Sequence, residues 1–182
     1  MGDHDLERNG VNERVVSVSK IIKNPSYKPD TMQNDITLLI LSESLKFGPG
    51  VNAACLPQPS DNMWPTCTIT GWGALKQGGR QPTILQEAQV PYVPVAKCNK
   101  SYKGKILAGM ICAGVPTGGT DSCQGDSGGP LVCVNKKDGR YILLGVTSWG
   151  YGCAQKGYYG VYADVRNNGY KKWIAAKIRP YL

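Results

Sequence analysis

The sequence lacks long apolar runs. Its longest mostly aliphatic stretch, Ile36 to Leu41, is far shorter than the roughly 18 apolar residues that a membrane-spanning helix needs. Of the 182 residues, 41% are apolar and 19% are charged, and the apolar residues cluster into short runs bounded by Gly and Pro. This pattern excludes membrane-spanning, collagen-like and disordered chains. A folded, β-rich chain remains, with a length that suits one domain or two small lobes sharing a core.

A dense basic block is also absent. Lys and Arg number 21 against 13 Asp and Glu, a net charge of +8, but these cations are scattered along the chain. The densest group comprises Lys97, Lys100, Lys103 and Lys105. Basic arms that bind nucleic acid carry a continuous run of like charge. We therefore expect a solvated basic surface and no nucleic-acid partner.

Histidine is scarce, and no Cys-x-x-Cys motif occurs. With His4 as the single histidine, the sequence offers no zinc-binding pattern, so its cysteines favour disulfides in an oxidising compartment and hence secretion. The seven cysteines are Cys55, Cys67, Cys98, Cys112, Cys123, Cys133 and Cys153. The segment Met1–Glu7 is polar and acidic, unlike a signal peptide. This start and the odd cysteine count lead us to expect a missing N-terminal portion.

Short strands dominate the secondary structure that the sequence predicts. Eight runs bounded by Gly- and Pro-rich turns are typical of an all-β barrel or sandwich. The predicted strands are 15–21, 36–41, 66–70, 85–93, 110–113, 130–134, 141–148 and 160–165. One helix is predicted at the C-terminus, where apolar residues recur at spacings of three and four. They are Tyr170, Trp173, Ile174 and Ile178.

The segment Gly125–Pro130, with sequence Gly-Asp-Ser-Gly-Gly-Pro, is the most specific stretch of the chain. A serine between glycines lets a backbone approach closely, and a tight turn can aim the amides of Gly125 and Ser127 at one point where an oxyanion develops. An ordinary glycine-rich turn is the alternative. The whole hexapeptide, preceded by Asp121-Ser122-Cys123-Gln124, is more restrictive than Gly-x-Ser-x-Gly alone.

This hexapeptide resembles the nucleophile motif of the chymotrypsin/trypsin family of serine proteases. The family's other segments appear in order along nearly the whole chain: Asn34-Asp35-Ile36, Cys55-Leu56-Pro57, Gly71-Trp72-Gly73, Met110–Gly114, Ser148-Trp149-Gly150 and Gly160-Val161-Tyr162. The resemblance implies an all-β fold of two antiparallel six-stranded barrels, the first incomplete here, with a C-terminal helix. It makes residues 1–182 one protease domain that lacks its N-terminal portion.

Ser127 and Asp35 match two members of the family's catalytic triad, the nucleophile and the buried aspartate. An aspartate that caps its own turn is the alternative for Asp35. The triad's histidine should precede the aspartate, but His4 lies in a segment that resembles the one following the family's histidine region, and the Ala-Ala-His-Cys motif is absent. We therefore expect the chain alone to be inactive. A non-catalytic pseudoprotease that only binds remains the rival interpretation.

Asp121 matches the base of the family's primary specificity pocket, where a carboxylate selects Arg or Lys. A solvated turn aspartate is the alternative. Ser148 and Trp149 match substrate-binding positions, and Gly150 and Gly160 match the pocket walls. The resemblance implies cleavage after Arg or Lys, with protein or peptide substrates and protease inhibitors as partners.

Four further expectations follow from the resemblance. It implies disulfides Cys67–Cys133, Cys98–Cys112 and Cys123–Cys153. Cys55 is then left to link the missing N-terminal segment. Asp126 matches the aspartate that pairs with the amine freed by activation cleavage. Asp3, Asp5 and Glu13 lie in a segment resembling the family's calcium loop, but Gly10 replaces an acidic ligand, so we expect a solvated loop and no metal or other cofactor.

Two further positions suggest an ion site and a modification site. Tyr159 stands near the pocket where a tyrosine accompanies sodium binding in the family. Asn99-Lys100-Ser101 is an N-glycosylation sequon, whereas the proline in Asn24-Pro25-Ser26 disqualifies that segment.

Overall fold

The computed structural model describes residues 1–8, 10 and 13–181, and these residues form a mostly β structure. The strands are β1 (Val18–Lys23), β2 (Thr37–Leu41), β3 (Met63–Gly71), β4 (Gln86–Val93), β5 (Met110–Ala113), β6 (Pro130–Asn135), β7 (Tyr141–Trp149) and β8 (Gly160–Asp164). The helices are α1 (Val95–Ser101), α2 (Asn168–Ile178) and a final 3₁₀ turn, Arg179–Tyr181. The predicted all-β class is confirmed, and every predicted strand is present to within a few residues.

Six strands close into an antiparallel barrel in the order β3-β4-β5-β8-β7-β6. Closure depends on β3, which pairs with β4 along one edge and with β6 along the other. Large apolar side chains fill the interior, because alternate residues of each strand point inward. Val90, Ile111, Leu131 and Tyr162 are completely or almost completely buried there.

Outside the barrel, β1 and β2 form a two-stranded antiparallel sheet. This sheet stands where the resemblance implies the incomplete first barrel. Ile36, at its edge, packs with Val165 and with Tyr170 and Ile174 of α2, which joins the sheet to the barrel. The cross-strand neighbours Ile21 and Leu39 are 61% and 58% exposed, so one apolar strip of the sheet faces solvent.

The C-terminal helix lies where the sequence predicts it. The side chain of Asn167 accepts hydrogen bonds from the amides of Gly169 and Tyr170 and so caps α2. The helix α1 was missed, because seven residues are too few to display a helical period. It has no side-chain cap, and its Cys98 is fully buried and disulfide-bonded to Cys112.

The three predicted disulfides, Cys67–Cys133, Cys98–Cys112 and Cys123–Cys153, are all formed. Cys67 and Cys133 are also cross-strand partners of β3 and β6, so their bridge fastens the seam that closes the barrel. Cys55 makes no disulfide within the described part of the chain. No helix in that part is both long and apolar enough to cross a membrane.

Candidate active site

The loop that carries Ser127 connects β5 to β6 and changes direction at two glycines. Gly125 and Gly128 have φ angles of 99° and 80°, a conformation that favours glycine. The loop is fastened to β7, because the Gly128 amide donates to the Thr147 carbonyl at 2.9 Å and the Thr147 amide donates to the Gly129 carbonyl at 2.9 Å. Ser127 is thereby presented, exposed, at the tip of a loop whose base is held by the barrel.

Asp126 turns away from Ser127 and reaches the end of β3. Its carboxylate accepts hydrogen bonds from the amides of Gly73 at 2.8 Å and Cys123 at 3.0 Å. A Cβ atom on Gly71 or Gly73 would collide with this carboxylate. The motif Gly71-Trp72-Gly73 therefore has a steric reason, since glycines at both ends admit the aspartate.

Asp35 is joined to the barrel by one short hydrogen bond. Its carboxylate accepts from the Ser148 hydroxyl at 2.6 Å, although the two residues are 113 positions apart. No backbone amide of its own turn donates to this side chain among the hydrogen bonds of the described residues. The turn-capping alternative is therefore not what the structure adopts. Ser148 was predicted as a substrate-binding residue, and its contact with Asp35 had no local sequence signal.

The predicted substrate-binding residues converge on a cavity of about 130 Å³. Its lining includes Asp121, Ser127, Ser148, Trp149, Gly150 and Gly160. Ser127 and Asp121 thus border one space, and Ser148 connects that space to Asp35. The arrangement places a hydroxyl, a carboxylate and a large aromatic surface around a site wide enough for one side chain.

The Asp121 carboxylate is partly desolvated where it borders this cavity. Burial raises the pKa of Asp121 from its ordinary value to about 6, although backbone amides that hydrogen-bond the carboxylate oppose this shift. The donors include Ser122 at 2.9 Å and Ala154 at 3.0 Å. At neutral pH the carboxylate is ionised, and no cationic side chain among the described residues forms a salt bridge with it, which favours a cation as occupant.

The glycine walls differ in how strictly they require glycine. A Cβ on Gly160 would lie 2.8 Å from both the Asp121 carboxylate and the Tyr162 hydroxyl, so a side chain there would displace the carboxylate. A Cβ on Gly150 would meet nothing closer than 3.8 Å. Glycine at 150 is therefore not forced by crowding, and its effect is to leave the cavity open.

Comparison with known proteins shows the family of the chain. The family model described as "Trypsin" matches residues 1–174. The chain belongs to the trypsin family. It is 44% identical over 176 residues to Trypsin-1 of Astacus astacus, covering 96% of this chain and 73% of the relative. It is 42% identical over 175 residues to a trypsin of Xenopus laevis, covering 96% and 69%. Against Serine protease 1 of Homo sapiens the identity is 43% over 175 residues, covering 96% and 68%.

The histidine of a trypsin-family triad has no counterpart at this site. His4 is exposed, its carbonyl accepts from the Leu85 amide at 2.8 Å, and the adjoining Asp5 pairs with Ile84. His4 does not border the cavity that holds Ser127. The described residues therefore bring Ser127, Asp121 and Ser148 together, link Asp35 to them, and place no imidazole among them.

The acidic N-terminal segment binds its own backbone. Asp3 accepts from the Asp5 amide, Asp5 from the Glu7 amide, and Glu13 from the Gly10 amide. Within the described ranges, no group of three metal-ligating side chains comes together. The expectation of a solvated loop without a bound metal stays a prediction.

Sequence reasoning missed one neighbour of the loop that carries Ser127. The carboxamide of Gln81, from the loop between β3 and β4, packs against Gly125 in the space that a Cβ would need. Gln81 is exposed, and nothing in its local sequence distinguishes it from a solvated loop residue. Only the folding of β3 beside β6 brings it to the site.

We predict that Gly73→Ala lowers the free energy of unfolding by about 2 kcal/mol, because the added methyl displaces the Asp126 carboxylate and leaves backbone amides unpaired. Gly48→Ala is the matched control, since a Cβ there meets no atom within 4 Å and should change stability by less than about 0.5 kcal/mol. Urea unfolding measures both. Equal stabilities for the two variants would contradict the role given to Asp126.

Proposed function

We propose that this trypsin-family chain carries a serine endopeptidase site selective for Arg or Lys before the scissile bond. The proposal rests on one observation, that Ser127 and the desolvated Asp121 carboxylate border the same cavity of about 130 Å³. A substrate cation that pairs with Asp121 brings its own carbonyl to the mouth of the cavity, where Ser127 stands.

Each residue has a separate task in this proposal. Ser127 attacks the carbonyl carbon, and the amides of Gly125 and Ser127 stabilise the oxyanion. Asp35 matches the aspartate that would orient the histidine of a complete triad, and the Ser148 hydroxyl donates to its carboxylate at 2.6 Å. Trp149 and the glycines at 150 and 160 shape the space for the long basic side chain.

The environment of the proposed enzyme is extracellular. Three disulfides support secretion, and the family implies protein substrates and protein inhibitors as partners. Cys55 is half-buried and outside these bridges, which supports its use as a link to another segment. A larger cavity of about 440 Å³ lies against Asp126, Gly71 and Gly73, a fitting place for the amine that activation cleavage frees in the family.

The absence of an imidazole beside Ser127 favours a second candidate, a binding module without catalysis. Without a general base, a serine hydroxyl at neutral pH is a weak nucleophile. Both candidates predict little turnover by these 182 residues, but they differ in what an added base would do.

We predict that the chain hydrolyses a small arginine ester no more than about 10⁴-fold faster than water does. This is the rate enhancement that remains when an oxyanion hole acts without a complete triad. Added imidazole, a diffusible general base, should raise this rate in the wild type and not in Ser127→Ala. Absence of any rescue favours the binding module. Turnover typical of a complete trypsin would contradict the predicted inactivity.

The cation selectivity is tested separately from catalysis, with benzamidine as a small amidinium probe. Its affinity should rise about tenfold from pH 5 to pH 7, because Asp121, with a pKa raised to about 6, must ionise to pair with the cation. Asp121→Asn should abolish both tight binding and this pH dependence.

The matched control for this measurement is Asp138→Asn. Asp138 is an exposed carboxylate that pairs with Arg140 and does not border the cavity. Its replacement should leave the benzamidine affinity, measured by isothermal titration calorimetry, unchanged. Benzamidine affinity that survives in Asp121→Asn, or that is flat between pH 5 and pH 7, would show that Asp121 does not receive the cation.

A further inference from the structure

The sequon Asn99-Lys100-Ser101 lies at the end of α1 and plays no part in the proposed site. It is the one Asn-x-Ser/Thr triplet of the full sequence without proline in the middle. A triplet alone says only that the modification is chemically allowed. Whether the folded chain can carry a glycan depends on which atom of the carboxamide faces the protein and which faces water.

The Asn99 side chain is fixed in one orientation by the loop that follows α1. The side-chain Oδ1 of Asn99 accepts a hydrogen bond from the Ile106 amide at 3.0 Å. The backbone carbonyl of Asn99 accepts from the Gly104 amide at 3.1 Å. Because a backbone N–H can only donate, the carboxamide atom facing Ile106 is the oxygen. The nitrogen, Nδ2, therefore points away from the loop.

Nδ2 is also not fully buried. It donates to no residue in the described part of the chain, and it is not among the buried polar atoms there that lack a partner. Asn99 is partly exposed, and its neighbour Lys100 is exposed. The atom to which a glycan attaches is thus not fully enclosed by protein, while Oδ1 is bonded to the loop.

We propose that Asn99 is an N-glycosylation site and that the folded chain carries the glycan without losing the bond to Ile106. In the transfer, Nδ2 attacks C1 of the sugar in a lipid-linked oligosaccharide pyrophosphate. The Nδ2–C1 bond forms, the C1–O bond to pyrophosphate breaks, and one amide proton leaves, so that nothing is oxidised or reduced. Oδ1 takes no part and remains an acceptor.

Two further observations agree with this site. The three disulfides require an oxidising compartment, and in the secretory pathway the chain meets the glycan donor in the same place. The disqualified triplet differs in burial, since Asn24 is only 8% exposed, although its Oδ1 likewise accepts from a backbone amide, that of Ser26. A glycan at Asn24 would have to leave a buried position.

The test is expression of the full chain behind a secretion leader in cultured animal cells. Total cellular and secreted protein are both treated with peptide N-glycosidase F in heavy-oxygen water, because glycan transfer precedes folding and secretion. We expect a glycosidase-sensitive mobility shift and heavy-oxygen Asp at position 99 by peptide mass spectrometry. An unmodified Asn99 in both pools overturns the proposal.

Matched variants separate the sequon from the side-chain bond. Ser101→Ala removes the hydroxyl that glycan transfer needs but keeps the Asn99 bond to Ile106, so the shift should disappear. Ser101→Thr should retain the shift. Asn99→Asp keeps an acceptor oxygen without an amide nitrogen and should remain unmodified. A shift that persists in Ser101→Ala or Asn99→Asp contradicts the assignment.

The orientation of the carboxamide has its own readout. If Nδ2 points outward, the glycosylated wild type and the Ser101→Ala variant should be secreted in similar yield and unfold at similar temperatures. A glycosylated chain that is retained in the cell while Ser101→Ala is secreted would show that the glycan displaces the Asn99 bond, which overturns the structural part of the proposal.

Discussion

The pairing of β3 with both β4 and β6 is the constraint on which the rest of the structure depends. It closes the barrel, satisfies the backbone hydrogen bonds of strands that would otherwise be edges, and is fastened by the Cys67–Cys133 bridge. It also brings the end of β3 beside the loop that precedes β6. Asp126 can therefore accept from Gly73 and hold the Ser127 loop against the barrel.

The carboxylates of Asp126 and Asp121 lie near each other in the chain but have different surroundings. Asp126 receives amides from two separate loops and thereby fixes the backbone. Asp121 is desolvated at the cavity, with a pKa raised to about 6, so its ionised form is costly until a cation arrives. Asp126 holds two loops together, and in the proposed function Asp121 would receive the positive charge of the substrate. The number of donors does not separate them, because each carboxylate accepts from at least two backbone amides. The difference is that Asp121 is desolvated at the cavity, whereas Asp126 links two loops.

Most secondary-structure elements could be predicted from patterns of neighbouring residues. Alternating and uninterrupted apolar runs located all eight strands, and spacings of three and four located α2. The short helix α1 lay below the length at which a period can be seen. The disulfide pairing came from family resemblance, because spacing alone leaves many pairings open.

Fewer contacts of the candidate site could be predicted from patterns of neighbouring residues. The Gly125–Pro130 segment pointed to the Ser127 loop through its resemblance to the family's motif. The bond between Asp35 and Ser148 and the contact of Gln81 with Gly125, by contrast, join residues far apart in the chain. Such contacts are produced by barrel closure and leave no signature in neighbouring residues.

The most direct test of the account is a crystal structure of the 182-residue chain with benzamidine bound. The account predicts the amidinium within hydrogen-bonding distance of both Asp121 carboxylate oxygens, with the aromatic ring between the segments at Trp149-Gly150 and Gly160 and directed toward Ser127. An amidinium bound elsewhere, or an Asp121 carboxylate turned out of the cavity that Ser127 borders, would contradict it.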